Sequence, residues 1–128
     1  MTWLSSSFDP PARPDPHARR PVGPQATLAV IEVTVSRDTA TVVITGELDL
    51  TTRPVLAERL WLALRARPRR LVLDMSGAGF MDCGSARLIA SARRFLPDGS
   101  RLIIRRPGRA VRRVLELTGF DTDLEVDG

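Results

Sequence analysis

Leu71-Val72-Leu73-Asp74-Met75-Ser76-Gly77-Ala78-Gly79-Phe80-Met81-Asp82-Cys83-Gly84-Ser85-Ala86 reads as an apolar strand that empties through a glycine-rich loop into a helix start. The first backbone N–H groups of a helix lack partners within it, and the aligned peptide dipoles favour negative charge there. Two acids, Asp74 and Asp82, and two hydroxyls, Ser76 and Ser85, sit at this handover. Leu71-Val72-Leu73 does not alternate with polar residues, which predicts a central strand covered on both faces.

Upstream, residues 26–45 alternate β-rich and polar positions, with Arg37-Asp38-Thr39 as a turn, and predict a hairpin whose second strand closes at Gly46-Glu47-Leu48-Asp49. Thr51 or Thr52 can cap a following helix, Pro54 is tolerated in its first turn, and Leu56, Leu60, Ala63 and Leu64 recur at helical spacing until Pro68. Downstream, Leu88, Ile89, Ala92, Phe95 and Leu96 make a second helical stripe, ended by Pro97-Asp98-Gly99. Arg101 to Ile104 form a short strand, and Pro107-Gly108 open a third helix through Val111, Val114, Leu115 and Thr118. Gly119 stands where a left-handed residue would end that helix, and Phe120 is placed to reach back to Leu115. Asp123 to Val126 read as a last strand. The order β-β-α-β-α-β-α-β predicts an α/β fold, a mixed sheet with crossover helices packed against it.

Residues 1–25 hold six of the ten prolines and almost no apolar periodicity, so they are expected to form a disordered, Pro-rich tail ahead of one domain over 26–128. No apolar run approaches the roughly 20 residues that cross a bilayer, and no secretory signal is legible at the N-terminus. The one cysteine, Cys83, allows neither an internal disulfide nor a cysteine-based zinc set, which suits the cytoplasm. All 19 basic side chains are arginine, so the high isoelectric point of about 11.1 overstates a net charge of only +4. Codon bias in a GC-rich bacterial genome explains this more simply than nucleic-acid binding. Arginines cluster at Arg65, Arg67, Arg69 and Arg70 and from Arg105 to Arg113, yet few aromatics accompany them, and direct nucleic-acid binding is not expected.

Catalytic constellations fail in turn. The sole histidine, His17, lies in the proline-rich segment, which removes Ser-His-Asp and Cys-His arrangements. A phosphate-binding P-loop needs a lysine, and Gly77, Gly79 and Gly84 do not give a dinucleotide fingerprint. Asp49, Asp74 and Asp82 read better as caps and loop ends than as a cation site, and Cys83 better as a small buried residue than as a reactive thiol. Neither an enzyme, a metal nor a cofactor is expected.

Taken together, Gly46-Glu47-Leu48-Asp49, the strand ending in Asp74, Phe80-Met81-Asp82 and Leu117-Thr118-Gly119-Phe120 resemble the STAS domain, named for sulphate transporters and anti-sigma factor antagonists. Four motifs in the right order cover about residues 28–127. The resemblance implies a regulatory, partner-switching module that binds an anti-sigma factor of the histidine-kinase-like ATPase type. It places the partner-binding loop at Asp49, Asp82, Cys83, Gly84, Ser85 and Arg87, with Ser91 and Arg94 on the adjoining helix. Bacterial antagonists of the family read Asp-Ser-Ser-Gly in this loop, and the second serine is phosphorylated by the anti-sigma kinase. Matching Asp82 to that aspartate puts Gly84 on the phosphorylated serine. Ser85, one place later, is the remaining candidate acceptor, although one residue of shift at a helix start turns a side chain by about 100°. An alternative is a small-ligand or nucleotide site in the same crevice, held by helix N–H groups and arginines. A monomer or weak dimer is expected in either case.

Overall fold

The computed structural model describes residues 29–122 and 124–128. The expected tail at 1–25 lies outside the described residues. The order is β1 (Val30–Ser36), β2 (Thr39–Leu48), α1 (Arg53–Arg65), β3 (Arg70–Met81), α2 (Cys83–Ala92), β4 (Arg101–Arg105), α3 (Arg109–Thr118) and β5 (Glu125–Asp127). Single 3₁₀ turns follow α2 at Arg93–Phe95 and α3 at Phe120–Thr122. This is the α/β order read from the sequence.

The hairpin turns in two residues, Arg37 and Asp38, between the paired Ser36 and Thr39, and Arg37 adopts φ 57° to do so. The sheet runs β1-β2-β3-β4-β5, antiparallel only between β1 and β2. Each parallel step from β2 to β5 moves in the same direction, so right-handed crossovers place α1, α2 and α3 on a single face. Ile31, Ala40, Val42, Ile44, Leu71, Leu73, Met75, Leu102 and Ile104 point to that face. They form one core with Leu56, Leu60, Ala63, Leu64, Ala86, Ile89, Ala92, Val111 and Leu115 from the helices.

β3 is central and buried on both faces, as expected: Leu71 and Leu73 face the helices, and Val72, 1% exposed, and Ile103, 4% exposed, are buried on the second face, outside the main core, where no helix packs among the described residues. They sit in one cross-strand row with Thr41 and Glu125, flanked along their strands by Arg70, Asp74, Arg101 and Arg105. Arginine stems are long and apolar enough to shield such positions while their heads stay in water. The glycine-rich segment, expected as a loop, is instead strand. β3 continues extended to Met81, paired with β2 through register shifts at Val43/Thr45 and Gly46/Glu47. Gly77 permits this close pairing, since a Cβ there would stand 3.0 Å from Thr45 Oγ1 and 3.2 Å from the Ile44 carbonyl.

The ends of the elements follow their sequence signals. Gly119 takes φ 79° and closes α3, its N–H donating to the Glu116 carbonyl, and Phe120 packs against the core beside it. Edge strand β1 is blunted by Arg59 of α1, whose Nε donates to the Ile31 carbonyl at 3.0 Å. The long strand β3 therefore carries Asp82 to the carboxyl edge of the sheet, where the β2–α1 turn also emerges.

Candidate functional site

At that edge, the backbone N–H of Asp82 donates to the Leu48 carbonyl at 2.9 Å, extending the β2–β3 ladder into the two loops and fixing them to each other. The β2–α1 turn is organised by Asp49. Its Oδ1 accepts from the Thr51 N–H at 3.0 Å, the Thr51 hydroxyl at 2.7 Å and the Thr52 N–H at 3.2 Å. Thr52 precedes α1 but does not cap it with its side chain; its Oγ1 accepts from the Asp49 N–H at 2.9 Å and donates to the Glu47 carbonyl at 3.0 Å. The short acid-hydroxyl box leaves Leu50, 70% exposed, at the tip of the turn. The hydrogen bond from Thr51 leads the interactions that hold the Asp49 carboxyl below its ordinary range.

Asp82 is divided between two tasks. Oδ1 accepts from the Ser85 N–H at 2.7 Å, capping α2, and Oδ2 accepts from Arg53 Nη2 at 2.8 Å, an ion pair between α1 and the start of α2. Partial burial by itself would raise the Asp82 carboxyl, but the hydrogen bonds from Ser85 and the Arg53 guanidinium outweigh it and hold the group below the usual carboxylate range. A carboxyl depressed in the folded state adds stability above its unfolded pKa and loses it as pH falls through the folded value. Thermal unfolding of the natural chain is therefore expected to lose midpoint temperature as pH drops from about 5 to about 3, with a shallower loss in Asp82→Asn. Equal slopes for the two proteins would remove Asp82 from the acid response.

The other expected site residues run from the start of α2 beside this pair to the 3₁₀ turn beyond its far end, which carries Arg94. Cys83, expected as a small buried residue, is instead exposed at the first position of α2, Arg87 is exposed, Ser91 is half-buried with its hydroxyl donating to the Leu88 carbonyl at 2.7 Å, and Arg94 is exposed. Ser85 is different. It is 0% exposed, so in this conformation its hydroxyl oxygen is closed to a kinase. Asp74 stands apart, engaged by the N–H of Ser76 at 3.0 Å and its hydroxyl at 2.8 Å, which with Arg106 and Arg105 lower its carboxyl. The three acids thus have separate local partners, and among the described residues no three His, Cys, Asp or Glu side chains converge.

Sequence reasoning missed Arg53 and the apolar cleft beside it. Leu50, Arg53, Pro54, Ala57 and Leu88 line a cleft of about 250 Å³ between α1 and α2. A larger one, about 700 Å³, is lined in part by Arg93, Arg94, Asp98 and Ser100. It lies by the amino end of β4, at the opposite edge of the parallel strands. Arg53 and Asp82 are 29 positions apart, and no one-dimensional pattern links them. Leu50 was legible as an apolar residue stranded in a polar turn.

The STAS domain family model matches residues 30–127, nearly the whole described fold. The chain belongs to the STAS domain family. As a fold, this STAS domain is similar to an anti-sigma factor antagonist from Mycobacterium paratuberculosis, with a TM-score of 0.72 and 24% identity over 77% of this chain and 85% of that one. It is also similar to the anti-sigma factor antagonist SpoIIAA in its unphosphorylated form, with a TM-score of 0.64 and 20% identity over 76% of this chain and 87% of that one. The phosphorylated form of the Bacillus cell fate determinant SpoIIAA gives a TM-score of 0.60 and 20% identity over 77% and 91%. No curated protein matches significantly by sequence. Among the described residues no helix is long and apolar enough to cross a membrane.

Proposed function

We infer that this STAS domain is a regulatory interaction module, an anti-sigma factor antagonist that binds an anti-sigma factor of the histidine-kinase-like ATPase type, and that it does so without the usual phosphoserine. One observation carries the reading. The turn at Asp49–Thr52 and the start of α2 are tied into one exposed surface by the Asp82 bonds to Leu48 and Arg53, with Leu50, Phe80, Cys83 and Arg87 displayed around them. A fixed surface with exposed apolar anchors and a charged rim is the anatomy of a protein interface. The module acts in the cytoplasm as a monomer or weak dimer, and its task is binding rather than chemistry.

The structural relatives support the partner class, and the SpoIIAA pair shows that the fold exists in phosphorylated and unphosphorylated forms. In this chain the matching position is Gly84, which offers no oxygen, and Ser85 is sealed into α2. The small-ligand alternative has weaker support. Sites for small molecules are concave and typically about 300–1,000 Å³, whereas the cleft beside Asp82 is about 250 Å³ and mainly apolar.

The test is to mix the purified chain with each histidine-kinase-like ATPase encoded in the same genome, with and without ATP. Expected results are a stable complex with one of them and an intact mass for the natural chain that does not increase after incubation with ATP. Failure to bind any of these ATPases would overturn the partner assignment. Addition of one phosphate, mapped to Ser85, would overturn the absence of a phosphoryl switch.

A further inference from the structure

Gly84 is more than a missing serine. A Cβ built on Gly84 would collide with the Arg53 guanidinium, whose Cζ, Nη1 and Nη2 occupy the space a side chain would need. The guanidinium thus lies against bare backbone in the first turn of α2, while Nη2 reaches Asp82 Oδ2 at 2.8 Å. Its Nε is buried and has no hydrogen-bond partner. An unsatisfied buried donor is costly, so the seat is held by the charge pair and the close approach rather than by a full set of hydrogen bonds. Glycine is the residue that lets another group approach the backbone so closely.

We propose that Arg53, Gly84 and Asp82 form a clasp in which Arg53 is the positioning residue, locking the β2–α1 turn to the start of α2 in one arrangement without any covalent modification. The proposal rests on the anti-sigma reading only for its purpose, which is to keep the partner-facing surface permanently presented. The clasp itself is a property of the isolated chain. A side chain at position 84 would displace the guanidinium from this seat.

The decisive experiment exploits a reversal of sign. In a helix, glycine to alanine is ordinarily stabilising, since alanine has the higher propensity. Here Gly84→Ala is expected to lower the thermal midpoint by several degrees in the natural background and to leave it unchanged or raise it in Arg53→Ala. A second readout is specific to the clasp. The ¹⁵N-labelled Nε–H of Arg53, shielded from solvent in the natural chain, is expected to exchange fast in Gly84→Ala and in Asp82→Asn. A Gly84→Ala substitution that stabilises both backgrounds, or an Arg53 Nε–H that stays protected when Gly84 is replaced, would overturn the clasp. Neither measurement uses a partner, so loss of the clasp and loss of the anti-sigma assignment are separate results.

Discussion

Asp82→Lys is expected to weaken binding to the proposed ATPase partner by at least about 30-fold, because truncating or reversing a central charged group at an interface costs on the order of 2–5 kcal/mol. Three consequences coincide at this position. The substitution removes the cap on the Ser85 N–H, worth about 1 kcal/mol. It sets a cation against Arg53 where an ion pair stood. It also places positive charge at the positive end of the α2 dipole, the arrangement that helix electrostatics disfavours. Asp82→Asn, which keeps an oxygen for the cap, should bind better than Asp82→Lys and worse than the natural chain. Calorimetric titration of the three proteins against the ATPase measures this order. Undiminished binding by Asp82→Lys would detach the loop from partner recognition. Both variants must first be shown to be folded at the temperature of the titration, since the cap and the ion pair also support α2.

Two neighbouring residues of β3 should differ sharply when cut back to alanine. Leu73 is fully buried among the helices in the main core, and Leu73→Ala is expected to cost about 2–5 kcal/mol, the range for a leucine whose site cannot collapse. Val72 is nearly as buried, at 1% exposed, but lies outside the main core. No helix packs on it among the described residues, and Val72→Ala should cost only about 1 kcal/mol. Urea unfolding with unchanged m-values would give both figures. Equal losses at the two positions would mean that the second face is packed as tightly as the first.

Much of the fold was legible because its signals are local. Period-two alternation marks β2, period-3.6 stripes mark α1 and α3, and Gly119 ends α3 through a left-handed conformation that its own chemistry favours. The unbroken apolar run of β3 reported burial on both faces correctly, but the same local logic misread the strand's end. The glycines at 77 and 79 signal a loop by composition, yet Gly77 is there because β2 passes close to β3, a fact about two strands rather than one. At the site, Asp82 was found from its place before a helix, and Asp49 from the motif that closes β2. Ser85 was legible as a residue type but not as buried.

By itself the sequence determined the order of elements, the family motifs, the capping acid Asp82 and the absence of a hydroxyl at position 84. Each is written within a few residues, where backbone geometry and side-chain chemistry act on near neighbours. Only the tertiary structure decided which face of the sheet the helices cover, that Ser85 is sealed, and that Arg53 rests on Gly84 beside Asp82. Those outcomes depend on the direction of successive crossovers and on contact between helices about 30 residues apart. Chain order sets them only through packing.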